Sequence, residues 1–347
     1  MHPLQLISNA LLAIQSFNNA FFYQYAPDKA MYYLDTNHTV KMDFWKWAEA
    51  LETLEDTYEV TQDSDLKSKI SLLLNGFTDK YGSDWSWNNY NDDVMWASIA
   101  SIRAFMITGN SSYFDLSKRG FDMAYARGWS LDLGGGLWWS TQNGSKNACV
   151  NGPAAIAAMH LYKVTNDTNY LYKAKFIIDW QRSKIYNFTT GEVFDHINKD
   201  GKVEGGALTY NQGTFIGACG LLHPYFPANN YSAIASKAMA YTKNIESNSH
   251  GLMPDESFCT DCEGFKQVLA RWATKFLKAY PEYQSAYGPW LLYNAQQAWS
   301  VRNPTTGLIW EKWGKPTPNG YLNGHECANG PAMVSGVLLF TNGTNLM

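Results

Sequence analysis

Hydrophobic residues recur along this chain at the three- to four-residue spacing of amphipathic helices, in twelve segments that polar turns separate. The segments are of two kinds, and the kinds alternate. Those of the first kind are apolar on nearly every side, or mixed and rich in aromatic residues, as expected of helices that other helices enclose. They lie near 44–60, 93–107, 152–164, 213–225, 264–279 and 330–340. Those of the second kind expose Lys, Asp and Gln on one face, and they lie near 3–20, 66–76, 112–125, 169–181, 231–246 and 283–301.

A polar turn followed by a helix with Lys and Ala on its exposed side recurs roughly every fifty to sixty residues. The repeats begin at Thr61, Thr108, Thr165 and Phe226. Each repeat marks the joint of two antiparallel helices. Alternating enclosed and half-exposed helices, joined as hairpins, suit a closed ring in which one layer lines the axis and the other surrounds it. The sequence therefore predicts an all-α protein of one domain, residues 1–347, folded as an (α/α)6 barrel of six helical hairpins.

The loops that leave the enclosed helices are short, about five residues each, whereas the loops that enter them are far longer. The long loops include 77–92, 126–151, 182–212 and 302–329. Compact folds rarely keep long loops without a use. In such a ring all the long loops open on one rim, at the N-termini of the enclosed helices, where the helix dipoles place partial positive charge. We therefore expect the functional site on that rim.

The composition is that of a globular chain. Hydrophobic residues make up 46% of the 347 residues and charged residues only 17%, so disorder is not expected. A net charge of -4 offers no basic surface, which argues against nucleic acid as a partner. No stretch approaches the roughly 20 apolar residues that cross a bilayer, so no membrane span is predicted. Aromatic residues reach 15%, and their flat amphipathic rings suit the faces of sugars as well as a core.

Sequons and cysteines favour an extracellular protein. N-glycosylation acceptors stand at Asn37, Asn110, Asn143, Asn166, Asn187, Asn230 and Asn342. The pair in "CTDC", Cys259 and Cys262, has no second such pair and no nearby histidine pair, so we expect a small loop disulfide and not a zinc site. Cys219 falls inside an enclosed helix, where a free thiol packs as a small hydrophobe. We expect a secreted monomer whose signal peptide has been removed.

The segment "NNYNDDVMW", residues 88–96, sets Asp92 and Asp93 side by side at the first turn of an enclosed helix. The helix N-terminus favours an ionised carboxylate, whereas an ionised neighbour disfavours it. One carboxylate can therefore stay charged while the other holds its proton, which is the division that glycoside cleavage requires. Carboxyl groups about 5 to 6 Å apart are feasible here, and that spacing suits retention through a covalent intermediate. The structural alternative is that the pair only caps the helix.

Five segments stand in order across nearly the whole chain: "NDDVMWASIASIRAFMITGN", "GGGLWWS", "KNACVNGPAAIAAMHLY", "LTYNQGTFIGAC" and "GFKQVLARW". Together they resemble glycoside hydrolase family 76. The resemblance implies an (α/α)6 protein without a cofactor, typically an endo-acting α-1,6-mannanase that cuts the mannan backbone of fungal cell walls with retention. The family's Asp-Asp pair falls on Asp92 and Asp93, which implies the nucleophile for the first and the general acid/base for the second. The residues themselves do not decide that order.

Further polar and aromatic residues fall on the predicted rim. Asp195 in "VFDHI" resembles an acidic position of the family and is a candidate for binding sugar hydroxyls, although an Asp there also suits a turn. The other polar candidates stand at helix starts, where they can also act as caps: Asn147, Asn151, Tyr210, Asn211 and Gln212. The candidate stacking platforms are Trp85, Trp87, Trp138 and Trp139.

Two of these assignments are ambiguous from the sequence. Adjacent residues of an extended segment point to opposite sides, so at least one of Trp138 and Trp139 belongs to the core. We select Trp87 and Trp138 as the rings that contact sugar. His196 beside Asp195 is either an acid/base helper or a hydrogen-bonded loop residue, and the second is the commoner situation.

The leading hypothesis is a secreted retaining endo-α-1,6-mannanase that acts on α-1,6-linked mannan or manno-oligosaccharides. Three alternatives stay open. A cell-wall transglycosidase of the same family would differ in its acceptor site, and a non-catalytic mannan-binding protein would keep the cleft without the chemistry. Another (α/α)6 enzyme, such as an unsaturated glucuronyl hydrolase, would need a cationic cleft, and the rim motifs offer few basic residues beyond Lys146, Lys266 and Arg271.

Overall fold

A computed structural model of the chain describes residues 3–341, and helices dominate it. The sequon at Asn342 lies outside these residues. The helices are α1 Pro3–Phe21, α2 Phe44–Thr61, α3 Ser64–Tyr81, α4 Asn91–Thr108, α5 Ser111–Gly128, α6 Ala148–Thr165, α7 Thr168–Lys184, α8 Thr209–Leu222, α9 Tyr231–Tyr241, α10 Phe265–Ala279, α11 Gln284–Ser300, α12 Gly324–Cys327, α13 Asn329–Gly336 and α14 Leu338–Thr341. Every segment predicted as helical is helical in the structure, and α13 and α14 divide the last enclosed one. The prediction of an all-α protein is confirmed.

The two predicted kinds of helix differ in burial as the hydrophobic pattern indicated. In α6 every residue from Ala148 to Leu161 is buried, and in α4 the buried run extends from Val94 to Ala104. By contrast, α5 buries one face only, through Tyr113, Leu116 and Phe121 at helical spacing. The apolar composition of α4 and α6 therefore reflects enclosure on all sides.

Two-residue joints connect α4 to α5 and α6 to α7, as the repeated polar turns predicted. Gly109 and Asn166 end the first helix of each pair in the left-handed conformation, with φ of 78° and 56°. The next residues, Asn110 and Asp167, then cap the second helix, because their side-chain oxygens accept hydrogen bonds from its first free amides. Such short joints keep consecutive helices antiparallel.

The described residues form two compact units. One unit comprises the chain up to Lys80 and from Lys243 onward, and the other runs from Tyr81 to Thr242. The assignment of one domain to the whole chain stays a prediction. Within the first unit Arg271 is buried and is paired with three buried carboxylates: its Nη1 lies 2.8 Å from Glu49 Oε2, and its Nε lies 2.6 Å from Asp56 Oδ2 and 3.7 Å from Glu52 Oε2. A buried charge left unpaired would be strongly destabilising, so these polar positions of α2 and α10 are mutually dependent.

Short strands lie in the long loops. The strands are β1 Phe22–Ala26 and β2 Lys29–Tyr32 in the first unit, and β3 Ser145–Asn147, β4 His196–Asn198 and β5 Val203–Glu204 in the second. In the second unit β4 is the central strand of an antiparallel sheet, and Asn147 pairs with His196. This sheet joins the loop before α6 to the loop before α8. Strands of two to five residues are too short for a clear period-two pattern, and the sequence did not indicate them.

The cysteine predictions are confirmed. Cys259 and Cys262 form a disulfide. Cys219 is a free, fully buried thiol in α8, as expected of a packing residue. Among residues 3–341, no helix has both the length and the apolar character needed to cross a bilayer.

Candidate active site

Asp92 and Asp93 stand on the first turn of α4, which begins at Asn91. The N-cap position belongs to Tyr90, and no side chain makes a capping hydrogen bond there. Asp92 Oδ1 accepts the adjacent backbone amide, that of Asp93, at 3.0 Å. Asp92 therefore makes a contact of the capping kind with its own helix, and its other side-chain contacts come from outside that helix.

The second carboxylate oxygen of Asp92 accepts two further hydrogen bonds. Trp139 Nε1 donates to Oδ2 at 2.8 Å, and Cys149 Sγ donates to the same atom at 3.3 Å. Burial raises the pKa of Asp92 to about 6, and the donors from Trp139 and Cys149 act in the opposite direction. Every one of these contacts treats the carboxylate as an acceptor, which is the hydrogen-bonding character of its ionised form.

Asp93 is held by the loop that precedes α4. Asn88 Nδ2 donates to Asp93 Oδ2 at 2.9 Å, and the Asn88 side-chain oxygen accepts the amide of Tyr90 at 2.9 Å. Arg127 fixes this loop, because its Nη2 donates to Asn88 O at 2.6 Å and its Nε donates to Asn91 Oδ1 at 2.6 Å. The two neighbouring carboxylates thus have different partners and different surroundings.

Three long loops of the second unit, residues 82–90, 129–147 and 185–208, meet around the start of α4. The amide of Asn91 donates to Trp139 O at 2.8 Å, and its side-chain amide donates to Trp138 O at 2.8 Å. The amide of Ala148 donates to Asp195 O at 2.8 Å. Within this unit the loops that enter the enclosed helices therefore contact one another near the first turns of α4 and α6.

The choice between the two adjacent tryptophans was wrong. Trp138 is only 6% exposed, its Nε1 donates to Ser130 Oγ, and Lys146 Nζ lies 4.7 Å from its ring centre. Trp139 is 36% exposed and is the residue that reaches Asp92. The alternation of an extended segment places them on opposite sides, as expected, but which side faces the site depends on how the loop folds.

The other two candidate platforms also differ in exposure. Trp85 is buried, and its Nε1 donates to Gly82 O at 3.1 Å, so this ring belongs to the core. Trp87 is 54% exposed, and its ring stacks on that of Tyr81 with centroids 5.9 Å apart. Trp87 therefore keeps a ring surface open to a ligand.

The predicted amide residues are buried, and their hydrogen bonds hold the loops. Asn151 accepts the amide of Leu137 at 2.8 Å and donates back to its carbonyl at 3.1 Å. Gln212 accepts the amide of Val193 at 2.6 Å and donates to Ala238 O at 2.9 Å. Asn147 Oδ1 accepts the hydroxyl of Ser145 at 2.6 Å. These contacts give the three amides a positioning role.

A polar cluster surrounds Asp195. Its Oδ1 accepts Asn211 Nδ2 at 3.0 Å, and its Oδ2 lies 2.8 Å from His196 Nδ1. His196 Nε2 lies 3.5 Å from Glu204 Oε2, on the neighbouring strand. His196 is thus a hydrogen-bonded residue of β4, in agreement with the commoner of its two expected situations. Asp195 stays partly exposed beside this cluster.

The basic residues of the predicted rim provide no exposed cationic surface. Lys146, Lys266 and Arg271 are each buried. Lys146 Nζ donates to three backbone carbonyls of the loop before α6, those of Ser130, Asp132 and Gly135. Burial lowers the pKa of Lys146 to about 8. These positions do not favour the hypothesis of an enzyme for anionic sugars.

Comparison with known proteins agrees with the resemblance. A sequence model of glycosyl hydrolase family 76 matches residues 9–339. This chain belongs to glycosyl hydrolase family 76. The match covers the Asp92–Asp93 pair and all the long loops of the site.

Solved structures and a curated relative extend the comparison. The family 76 alpha-1,6-mannanase of Salegentibacter sp. HEL1_6 is 27% identical, with a TM-score of 0.87 over 96% of this chain and 99% of its own. An inactive variant of it, with two consecutive aspartates replaced by alanine and alpha-1,6-mannotetrose bound, has a TM-score of 0.86 at 26% identity over the same shares. A Schizosaccharomyces pombe relative, provisionally named mannan endo-1,6-alpha-mannosidase, is 23% identical over 295 residues. The alignment covers 77% of this chain and 66% of that relative.

The structural likeness settles the fold class. Family 76 structures are helical barrels, and the agreement extends over nearly the whole of this chain. The predicted (α/α)6 fold class is confirmed.

Sequence reasoning missed several residues of this candidate site. Asn88 and Arg127 hold the loop around Asp93, and Cys149 contacts Asp92. Asn88 belongs to the same quoted segment as the carboxylates, so its nearness was a usable signal. Cys149 and Arg127 are distant in sequence from Asp92 and carried no such signal.

Proposed function

We propose that this family 76 protein is an endo-acting α-1,6-mannanase that cleaves the backbone of fungal-type mannan. The Salegentibacter neighbour is named an alpha-1,6-mannanase, and its inactive variant lacks two consecutive aspartates. Asp92 and Asp93 are the single pair of consecutive aspartates in this sequence. Their position on one helix tip, where three long loops meet, is the observation that carries the proposal.

The different partners of the two carboxylates support the assignment of their roles. Asp92 accepts hydrogen bonds from the backbone, from an indole and from a thiol, and these donors favour its ionised form. An ionised carboxylate is what a nucleophile requires. Asn88 Nδ2 donates to Asp93 Oδ2, so a side-chain amide of the preceding loop orients this carboxyl group. We therefore assign Asp92 as the nucleophile and Asp93 as the general acid/base.

The proposed reaction retains the anomeric configuration. In the first step Asp92 attacks the anomeric carbon and the bond to the glycosidic oxygen breaks, while Asp93 gives its proton to that oxygen. In the second step the ionised Asp93 takes a proton from water, and the water oxygen displaces Asp92 from the sugar. The protein's own carboxyl groups supply each proton transfer and the covalent bond.

Sugar contacts are proposed for the exposed members of the site. Trp87 and Trp139 have partly exposed rings that suit the apolar faces of mannose units. Asp195 is partly exposed, with Asn211 and His196 fixing its carboxylate, so it can accept sugar hydroxyls. Tyr210 is partly exposed and stacks on Trp96, with ring centroids 6.3 Å apart, so it is a further candidate for sugar contact.

Secretion is part of the proposal. Five of the sequon asparagines are exposed: Asn37, Asn110, Asn143, Asn166 and Asn230. Exposed acceptors are what glycosylation in the secretory pathway requires, and the Cys259–Cys262 disulfide suits an oxidising compartment. Mass measurement of the protein from a eukaryotic secretory host, before and after removal of N-glycans, tests this part.

Product analysis tests the proposed activity. The protein is incubated with unbranched α-1,6-mannan, products are sized over time, and the anomer that first appears is identified by NMR. We expect internal cleavage to short oligosaccharides with the α-anomer released first. A β-anomer released first would contradict the retaining mechanism, and mannan binding without cleavage would indicate a binding protein. Transfer to an added labelled mannobiose in preference to water would indicate a transglycosidase.

A further inference from the structure

Cys149 makes a contact that the reaction described above does not explain. It is the second residue of α6, it is 4% exposed, and its Sγ lies 3.3 Å from Asp92 Oδ2. A thiol is a weak hydrogen-bond donor. The other donor to the same oxygen, Trp139 Nε1, is closer, at 2.8 Å. The carboxylate thus has one strong and one weak donor on the same atom.

The thiol stays protonated and can donate throughout the working pH range. Burial raises the pKa of Cys149 well above its usual value, and the negative charges of Asp92 and Asp195 raise it further. Since a thiolate would repel the carboxylate, only the S–H form is compatible with the observed contact. The group is therefore a donor to Asp92 and not a second nucleophile.

Tyr210 is a second polar partner of the thiol. Its hydroxyl is hydrogen-bonded to the Cys149 side chain, and its ring stacks on Trp96 at an interplanar angle of 21°. With the Tyr210 hydroxyl donating to sulfur, the S–H hydrogen is left to point at Asp92. The three side chains form a chain of hydrogen bonds that ends on the carboxylate.

We propose that Cys149 is a positioning residue of the reaction, whose thiol, oriented by Tyr210, holds Asp92 Oδ2 and favours the ionised carboxylate. This inference rests on the proposed function for the role of Asp92. A weak donor suits the position, because it orients the oxygen without reducing its nucleophilicity as much as a second strong donor would. Losing the thiol removes a partner of the charged form, so the pKa of Asp92 must rise.

The test compares the parent with Cys149→Ala, Cys149→Ser and the control Cys219→Ala, which removes a buried thiol of α8. The readout is kcat/KM on an α-1,6-manno-oligosaccharide as a function of pH. The acidic limb of this profile is the range in which kcat/KM declines as the pH falls. In Cys149→Ala we expect this limb to move to higher pH by about half a pKa unit, and we expect kcat to fall about 3- to 10-fold. Cys149→Ser, whose hydroxyl is the better donor, should return the limb to the parent value or below it. Cys219→Ala should leave the limb where it is.

A second readout does not depend on activity. Aspartate side-chain carboxyl carbons are labelled with carbon-13, the Asp92 signal is assigned by its loss in Asp92→Asn, and its pKa is followed by NMR in each variant. A raised pKa in Cys149→Ala, reversed in Cys149→Ser, supports the inference. An unchanged pKa overturns it, whatever the kinetics show. The variants could show these changes in the pKa of Asp92 while the parent does not cleave α-1,6-mannan. That result would contradict the proposed function and leave the inference about Cys149 intact.

Discussion

Trp139 and Asp92 are joined by a hydrogen bond of 2.8 Å, from the indole Nε1 to Oδ2, although 47 residues separate them in sequence. The bond ties the long loop before α6 to the first turn of α4. The same ring lies 5.0 Å from that of Tyr90, tilted by 49°. One aromatic residue of this loop thus both orients the Asp92 carboxylate and keeps a partly exposed ring, which in the proposed function would contact sugar.

Replacing Trp139 by Phe should separate these two tasks. The ring is kept and the N–H is lost, so we expect kcat/KM to fall about 10-fold, and its acidic limb to move to higher pH. Trp138→Phe is the matched control, because its N–H bonds Ser130 in the core. That variant should lower the melting temperature and leave the acidic limb unchanged. If kcat/KM declined at the same pH in both variants, the role of Trp139 as a donor to Asp92 would be contradicted.

The assignment of Asp93 as the acid predicts a dependence on the leaving group. In Asp93→Asn the hydrolysis of α-1,6-mannan should fall by about 10³-fold or more, because the departing oxygen receives no proton. A dinitrophenyl glycoside of α-1,6-mannobiose needs no such proton, so its first turnover should be nearly as fast as in the parent. Asp92→Asn should be slow on both substrates. Burst kinetics on the activated substrate measure the difference, and the reverse pattern would exchange the two roles.

The raised pKa of Asp92 predicts the acidic limit of activity. Burial raises this pKa to about 6, and the nucleophile must be ionised. The value of kcat/KM for the free enzyme should therefore decline as the pH falls below about 6. A pH profile on a short uncharged oligosaccharide measures it. A limb near pH 4, the usual range of an exposed carboxyl, would show that the site is better solvated than this geometry implies.

The same shift predicts that the ionised Asp92 lowers the stability of the fold. The pKa of Asp92 is higher in the folded chain than in the unfolded chain, so the folded state binds more protons between about pH 4 and pH 6. The stability contributed by Asp92 therefore improves as the pH falls through this window. At pH 7 Asp92→Asn should raise the free energy of unfolding by roughly 1–3 kcal/mol, and the gain should shrink near pH 4. Denaturant unfolding at both pH values tests this, and a destabilised variant at pH 7 would contradict it.

The glycine run before Trp138 has one position that needs glycine for space as well as for conformation. A Cβ added at Gly136 would stand 2.6 Å from Trp180 Cε2, and the residue has a φ of +80°. Gly82 has a φ of +72° but no heavy atom within 4 Å of such a Cβ, so it is the matched control. Gly136→Ala should lower the free energy of unfolding by about 1–3 kcal/mol more than Gly82→Ala does. Thermal or denaturant unfolding of both variants measures the difference. Equal losses of stability in the two variants would show that the loop shifts to relieve the clash with Trp180.

Local pattern was sufficient for the helices and for the placement of the carboxylate pair. The nearly unbroken apolar character of α4 and α6 follows from enclosure, and the residues that end each helix act within one turn. For the same reason the position of Asp92 and Asp93 on a first helical turn was readable, since it depends only on where the apolar run begins. Loop lengths predicted which loops build the site in the second unit.

Only the tertiary structure decided which side chains meet the carboxylates. Trp139 and Cys149 reach Asp92 across 47 and 57 residues, and those contacts depend on loop paths that no local period encodes. The alternation of adjacent residues placed Trp138 and Trp139 on opposite faces, but the side that faces the site is set by packing of the whole loop. The sequence by itself therefore determined the helices and the position of the two adjacent aspartates on a first helical turn, because these follow from interactions along the chain. The partners that change the pKa of Asp92 follow from contacts between residues that are distant along the chain.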